Sequence, residues 1–357
     1  MKIAIVNRHP DDFFGGSEMQ CDNIASGLCA RNHDVVYIAP AGRPGHDYNR
    51  VYKIVPTQSN ALSIAEATLA EKPDVVYWRL NKYHFHDAAK KFAQNNIPIV
   101  FAISHISDTQ PWSARENPRK GLIPFLQFLK QGFENLYNHR GYRYVSGIAS
   151  NNPDFLNILP VKKQKFIPNS VDITANPFSW PGPYVVWVAN IKPHKQPELY
   201  VRLAKTLADK GIDFLMVGDI QSTQFDWIRT EHDRLPLFYY LGPKPLRDAT
   251  GIIAGSLFLV HTCKPEGFGN NFIQAWLLGK PTVSCAFDPA SLIQKQDLGG
   301  FADSDWDLFV KQVERLIDDP EARQAAGERA LTMARENFSV ERTVRELEAF
   351  LKEVCRR

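Results

Sequence analysis

None of the chain's five cysteines (Cys21, Cys29, Cys263, Cys285, Cys355) stands at C-x-x-C spacing from another. A thiolate metal site or a redox pair needs that spacing, and three of the five lie inside apolar runs. They read as reduced, buried thiols and not as a disulfide framework. Apolar runs such as Gly251 to His261 fall well short of the roughly 20 residues that cross a bilayer. The string G-x-G-x-x-G is missing, which removes the fingerprint of a dinucleotide site. No carboxylate cluster points to a bound metal. Basic residues are scattered without a base-stacking module, so nucleic acid is a poor partner. Net charge is only +3 over 357 residues. The first 172 residues hold the excess, with about 20 basic against about 15 acidic side chains. A phosphate-bearing substrate or an anionic lipid surface is compatible with that excess, and so is a plain solvated surface. The opening strand MKIAIV runs straight into a polar loop, unlike a secretory signal, so the expected location is the cytoplasm.

What is present is ordinary for a globular protein: 44% hydrophobic and 23% charged residues, enough for a core without staples. The length suits two doubly wound domains better than one. Strand, loop, helix and strand alternate from the start: KIAIV, a loop, a helix to about Arg31, then DVVYIAP. Such a unit closes as a right-handed βαβ crossover. Further pairs follow, with helix Ala61 to Glu71 before strand Asp74 to Trp78, and helix Phe85 to Asn95 before strand Ile97 to Ile103. Residues 106–119 read as an irregular loop, then Gly121 to Tyr137 as a helix with an aromatic stripe. That stripe reads as core, with a face toward acceptor or membrane as the minority alternative. Strand Tyr144 to Ala149 and a short helix near Ser150–Asn152 end the first half. Pro177, Pro181 and Pro183 then make a crossover of low helicity. The second half repeats the pattern through YVVWVAN, FLMVGD and LFYYLG, with a loop expected through Gly300. Helices at about Asp305 to Ile317, Pro320 to Asn337 and Val340 to Val354 finish the chain.

The richest stretch is Lys264 to Lys280, KPEGFGNNFIQAWLLGK. It follows the apolar run GSLFLVH and opens a helix with Phe272, Ile273, Trp276 and Leu277 on one face. A strand, a glycine turn and a helix N-terminus make an anion site, because the first N–H groups of a helix lack partners and its dipole favours negative charge. The backbone of Gly267, Phe268, Gly269, Asn270 and Asn271 would face the anion. Glu266 stands at its mouth, and Gln274 lies about two turns along. Earlier in the chain, Gly15 and Gly16 precede Ser17, a plausible N-cap, and let backbone approach a ligand closely. His105 sits past the C-terminal end of a strand, where doubly wound sheets bind ligands. It would either touch a ligand or cap local backbone.

PEGFGNNFIQAWLLGKPTV resembles the signature of retaining glycosyltransferase family 4, whose fold is GT-B. The resemblance implies two Rossmann-like domains, at 1–172 for the acceptor and 173–338 for the donor. FIPNSVD is similar to the segment that ends the first of them. ENFSVERTVRELEAFL is similar to the family's last helix, expected at 339–357 to pack back on the first domain. By this resemblance Glu266 holds sugar hydroxyls, His105 contacts the donor sugar, and Lys195 contacts the diphosphate. Gly15 and Gly16 approach the phosphates, and Gln274 contacts the ribose. The loop holding Gly242, Pro243 and Lys244 faces the base. Asn190 stands where the family typically has Arg, and Gln274 where it has a second Glu. The implied donor is a UDP- or GDP-sugar, used without a cofactor or metal. The implied acceptor is a glycan or a lipid-linked molecule, the latter bringing peripheral contact with the membrane's cytoplasmic face. Retention by front-face attack, with the leaving phosphate taking the acceptor's proton, is part of the same implication, as is a place in polysaccharide biosynthesis. Two other classes stay open on this scaffold: a nucleotide-sugar epimerase or hydrolase, and a non-catalytic binding partner.

Overall fold

The computed structural model describes residues 1–13, 15–114, 121–171, 173–264 and 267–356. It divides into two compact units. The first is Met1–Ser170 with Val340–Arg357, and the second is Val171–Ser339.

The first unit is a seven-stranded sheet of order β3-β2-β1-β4-β5-β6-β7 with every pairing parallel. Its strands are β1 (Lys2–Val6), β2 (Asp34–Pro40), β3 (Lys53–Thr57), β4 (Val75–Trp78), β5 (Ile99–Ile103), β6 (Gly147–Ser150) and β7 (Gln164–Phe166). The helices are α1 (Gly16–Ala30), α2 (Ala61–Ala70), α3 (Phe85–Gln94), α4 (Ile106–Thr109) and α5 (Leu122–His139). Strands β1, β4 and β5 are buried almost throughout, as near-continuous apolar runs require when helices cover both sheet faces.

Several expectations need correction here. β3 was not expected; Pro56 makes KIVPT a poor interior strand, and it sits at the sheet edge, where proline is tolerated. The loop at 106–119 contains α4. The strand expected at Tyr144 to Ala149 is Gly147–Ser150, because Arg140–Tyr144 forms a 3-10 turn. Ser17 is not the cap of α1. The helix begins one residue earlier with Gly15 as N-cap, and the Ser17 hydroxyl instead accepts from the Asn7 amide at 3.1 Å.

The second unit is a parallel six-stranded sheet of order β10-β9-β8-β11-β12-β13. It comprises β8 (Tyr184–Val188), α6 (Pro197–Thr206), β9 (Asp213–Val217), α7 (Trp227–Arg234), β10 (Phe238–Tyr240), α8 (Leu246–Gly255) and β11 (Leu259–His261). It continues through α9 (Asn270–Leu277), β12 (Thr282–Ser284), α10 (Leu292–Gln296), β13 (Gly299–Phe301), α11 (Trp306–Asp318) and α12 (Pro320–Asn337). β13 replaces the end of the expected loop. Its sequence GGF carries no apolar pattern, and a Cβ on Gly299 would lie 2.0 Å from the Thr282 carbonyl oxygen, so the strands meet only because that side chain is absent. No D-x-D signature for a metal is expected from the sequence; the D-x-D spacing that does occur, at Asp303–Asp305, serves α11. Asp305 caps it by accepting from the Leu308 N–H at 2.9 Å.

The chain ends in α13 (Val340–Cys355), which belongs to the first unit. Val344, Leu347, Phe350 and Leu351 bury against α1 residues Ile24, Ala25 and Leu28 in one core. Contact is close at Gly27, where a Cβ would fall 2.4 Å from the Val344 side chain. Glu348 clamps the far side, bound by Lys352, Arg31 and, at 3.0 Å, His33. The Lys352 bond, then those of His33 and Arg31, hold its carboxyl down at about 2 against the opposing effect of burial. A carboxyl lowered on folding stabilises the native state above its unfolded pKa and loses that contribution as pH falls through the folded one. Glu348→Gln should therefore cost about 2 kcal/mol at pH 7. Denaturant titrations should show the difference from wild type shrinking between pH 4.5 and 2.

Candidate active site

In each sheet the chain winds outward from the middle in both directions, leaving a crevice at the carboxyl ends of the two strands where the winding reverses. In the second unit these strands are β8 and β11. The loops leaving them are 189–196 and 262–269, and together with α9, which follows the second, they hold most of the expected donor contacts.

The two loops are laced together. The Thr262 hydroxyl donates to the Lys195 carbonyl at 2.7 Å and accepts from the Trp187 indole N–H at 2.9 Å. The Lys264 N–H donates to the His194 carbonyl at 2.9 Å. From the first turn of α9, the Asn271 amide donates to the Val188 carbonyl at 3.0 Å. Thr262 is fully buried, so these bonds form where water does not compete and the loops are held as one piece. Lys195 ends a 3-10 turn, Pro193–Lys195, ahead of Gln196 in the left-handed region and Pro197 at the start of α6. Its side chain is half-buried, and Asn190 is exposed.

The turn into α9 is built by Gly269, with φ 77° and ψ 99°, a region that L side chains avoid. Asn270 and Asn271 follow in the first turn, where helix N–H groups project outward. Phe268, expected among the donor contacts, is buried against Phe338 and Trp276 with ring centroids 5.2 and 6.4 Å away. Its side chain anchors the turn, which leaves only backbone for a ligand. Gln274 is also buried, and its amide donates to the Thr250 hydroxyl on α8. Gln274 thus keeps its carbonyl oxygen for any further contact. Gly267 is buried beside the turn. Glu266 and Pro265 lie outside the described residues.

A third loop joins this edge after β10. Gly242, with φ 70°, accepts from the Gly218 N–H at 3.0 Å, with Pro243 and Lys244 exposed beyond it. Gly218 was not singled out in the sequence. It has φ 154°, and a Cβ there would lie 1.8 Å from the Ala189 carbonyl oxygen. Gly218 therefore joins the loops after β8 and β10 at a position where only glycine fits. Thr262 was missed as well, since nothing in the string HTCK marks a hydroxyl that bridges 67 residues.

In the first unit the winding reverses between β1 and β4. Gly15 and Gly16 stand at the entry of α1 as expected, but that entry already meets a carboxylate. A Cβ on Gly15 would lie 2.4 Å from Glu18 Oε2, and burial raises the Glu18 pKa against the pull of its own backbone N–H, Arg8 and Arg79. The preceding loop is tied down by ion pairs of Arg43 with Asp12 and of Arg50 with Asp11 and Asp22. His105 is exposed just past β5 and caps α4, which is the local-backbone role left open in the sequence. One ring nitrogen stays clear of that cap.

The sequence pattern of the family described as "Glycosyl transferases group 1" matches residues 173–333. No curated protein matches the chain. Solved structures resemble it over nearly its whole length. A glycosyltransferase from Rickettsia africae superposes with a TM-score of 0.77 at 15% identity, covering 99% of this chain and 98% of that one. Sucrose-phosphate synthase from Thermosynechococcus elongatus gives 0.73 at 13% identity, with 99% of each chain covered. HepE from Anabaena, solved in complex with UDP-glucose, gives 0.70 at 17% identity, covering 99% of this chain and 100% of that one.

Proposed function

We propose that the chain, whose residues 173–333 match the glycosyl transferases group 1 pattern and whose fold is GT-B, is a retaining glycosyltransferase that moves a hexose-type sugar from a UDP- or GDP-sugar to a glycan or lipid-linked acceptor. The supporting observation is the pair of interlocked loops at the β8/β11 crevice, which brings Lys195 and the N-terminal turn of α9 to one sheet edge. That edge offers a cation and outward N–H groups, the chemistry that stabilises a departing diphosphate. Glu266 orients the sugar hydroxyls, the Gln274 carbonyl oxygen accepts from the ribose, and His105 donates to the sugar. An acceptor oxygen attacks the anomeric carbon as the bond to the phosphate oxygen breaks, and that phosphate oxygen takes the acceptor's proton. Asn190 removes a charge that the family usually supplies, so the load on Lys195 is greater here.

The test is nucleoside diphosphate release from UDP- and GDP-sugars with and without glycan acceptors. The proposal expects slow release alone and faster release with acceptor. Full turnover without acceptor would establish the hydrolase reading, and no turnover under any condition the binding-protein reading.

A lipid-linked acceptor is favoured by one observation in the first unit. On α5, Leu122 and Ile123 are 73% and 70% exposed, and Phe125, Leu126, Phe133, Leu136 and Tyr137 are exposed too. Gly132 is the buried residue of that helix, packed against Trp112. The aromatic stripe expected as core is thus largely a surface face, and an apolar helix face of this kind suits a membrane interface. No helix among the described residues is long and apolar enough to cross a membrane. Ile123→Glu with Leu126→Glu should weaken binding to phosphatidylglycerol vesicles by about tenfold or more, since each buried aliphatic side chain contributes about 1.5–3 kcal/mol. Co-sedimentation reads this, with an unchanged unfolding midpoint as the control.

A further inference from the structure

The loop after β5 is over-determined for a surface loop. Asp108 is 1% exposed, and its carboxylate accepts from the backbone N–H groups of Ser104 at 3.1 Å and His105 at 3.2 Å. Its carbonyl accepts from the Tyr142 hydroxyl at 2.7 Å. Two residues on, the Gln110 carbonyl accepts from the buried Lys82 ammonium. Burial drives that ammonium down to about 8 against the pull of Asp108. A buried acid and a buried amine are a heavy cost for holding four residues of helix, because each ion gives up its hydration.

What the loop fixes is His105. Its Nδ1 lies 3.1 Å from the Ser107 backbone N and 2.9 Å from the Ser107 hydroxyl. A backbone N–H can only donate, so Nδ1 is the accepting nitrogen, and the proton of the neutral ring sits on Nε2. The residue is exposed and follows the carboxyl end of β5. We propose that Asp108 is a positioning residue: by gripping the Ser104 and His105 backbone it locks His105 in the Nε2–H tautomer, so that the ring meets the donor sugar as a hydrogen-bond donor. This rests on the reading of His105 as a donor contact.

The experiment uses full-length protein labelled with 15N-histidine at pH 8, with His105→Ala to identify the ring signals, alongside steady-state turnover of UDP-glucose and GDP-mannose. Wild type should show His105 as the Nε2–H tautomer. Asp108→Ala should give averaged tautomers and a kcat lower by about 10- to 100-fold with KM little changed. Asp108→Asn keeps an accepting oxygen for both N–H groups and should restore the signals and most of the rate. An Nδ1–H tautomer in wild type overturns the proposal. So does an Asp108→Ala enzyme whose His105 signals are unmoved, even where its unfolding midpoint has dropped, since that is a merely structural role. Unchanged turnover in His105→Ala overturns the donor-contact reading and with it the use made of the tautomer. That failure is distinguishable, because the wild-type spectrum would still show the locked ring.

Discussion

Lys195→Met should lower kcat/KM for sugar-nucleotide turnover by about 10²–10³, or about 2.7–4 kcal/mol of lost transition-state stabilisation. The size follows from the site's composition. Charge develops on a departing diphosphate, and in the proposed site the groups that would answer it are the N–H groups at the start of α9 and the Lys195 ammonium. Asn190 supplies no charge, so no neighbouring guanidinium at that position softens the loss. The fold should tolerate the change: the contacts that lace the loops use the Lys195 carbonyl and the His194 carbonyl, which methionine leaves in place. Lys195→Arg keeps the charge but replaces a compact ammonium with a planar fork, and should recover only part of the rate. A variant within threefold of wild type would remove Lys195 from the mechanism.

Gly218→Ala should cost about 3–5 kcal/mol of stability in the second unit and take donor binding with it. The added methyl would meet the Ala189 carbonyl oxygen at 1.8 Å, from a φ of 154° that alanine avoids. The obstacle is backbone, which cannot swing aside as a side chain can, so strand ends must part. The parting begins at Ala189, beside Asn190, and at the bond that Gly218 makes to Gly242. Chemical denaturation reads the stability, and nucleotide titration of the remaining folded protein reads the site. Gly211→Ala is a useful contrast. It has a left-handed φ of 67° but nothing within 4 Å of its Cβ position, so it should cost only about 1 kcal/mol.

These sites differ in how far sequence could reveal them. The β11–α9 connection was legible because an apolar strand, a glycine turn and an amphipathic helix follow one another without interruption. Lys195 is picked out only by its resemblance to a family position, and its role is part of the proposal. Gly218 and Thr262 were not, because their roles exist between loops that are neighbours only once the sheet has formed. β13 was invisible for the opposite reason: GGF has no side-chain pattern, and it pairs by virtue of what it lacks. α4 is one turn long, too short for any periodicity, and its stability comes from Asp108, Tyr142 and Lys82 instead. The surface face of α5 was misread because an aromatic stripe on a helix ordinarily means core. Among the described residues Trp112 covers part of it, and α3 meets its C-terminal end, where the Tyr137 hydroxyl donates to Asp87.

The most direct test of the donor site is thermal unfolding of wild type and Lys195→Met against UDP, GDP, ADP, their common sugar conjugates and NAD. A ligand at about 100 times its dissociation constant adds about 2.7 kcal/mol to the native state. One family of nucleoside diphosphates should raise the wild-type midpoint, its sugar conjugate should raise it further, and Lys195→Met should lose most of both shifts. Equal shifts in the two proteins, or none with any nucleotide at millimolar concentration, would contradict a diphosphate site at the β8/β11 crevice.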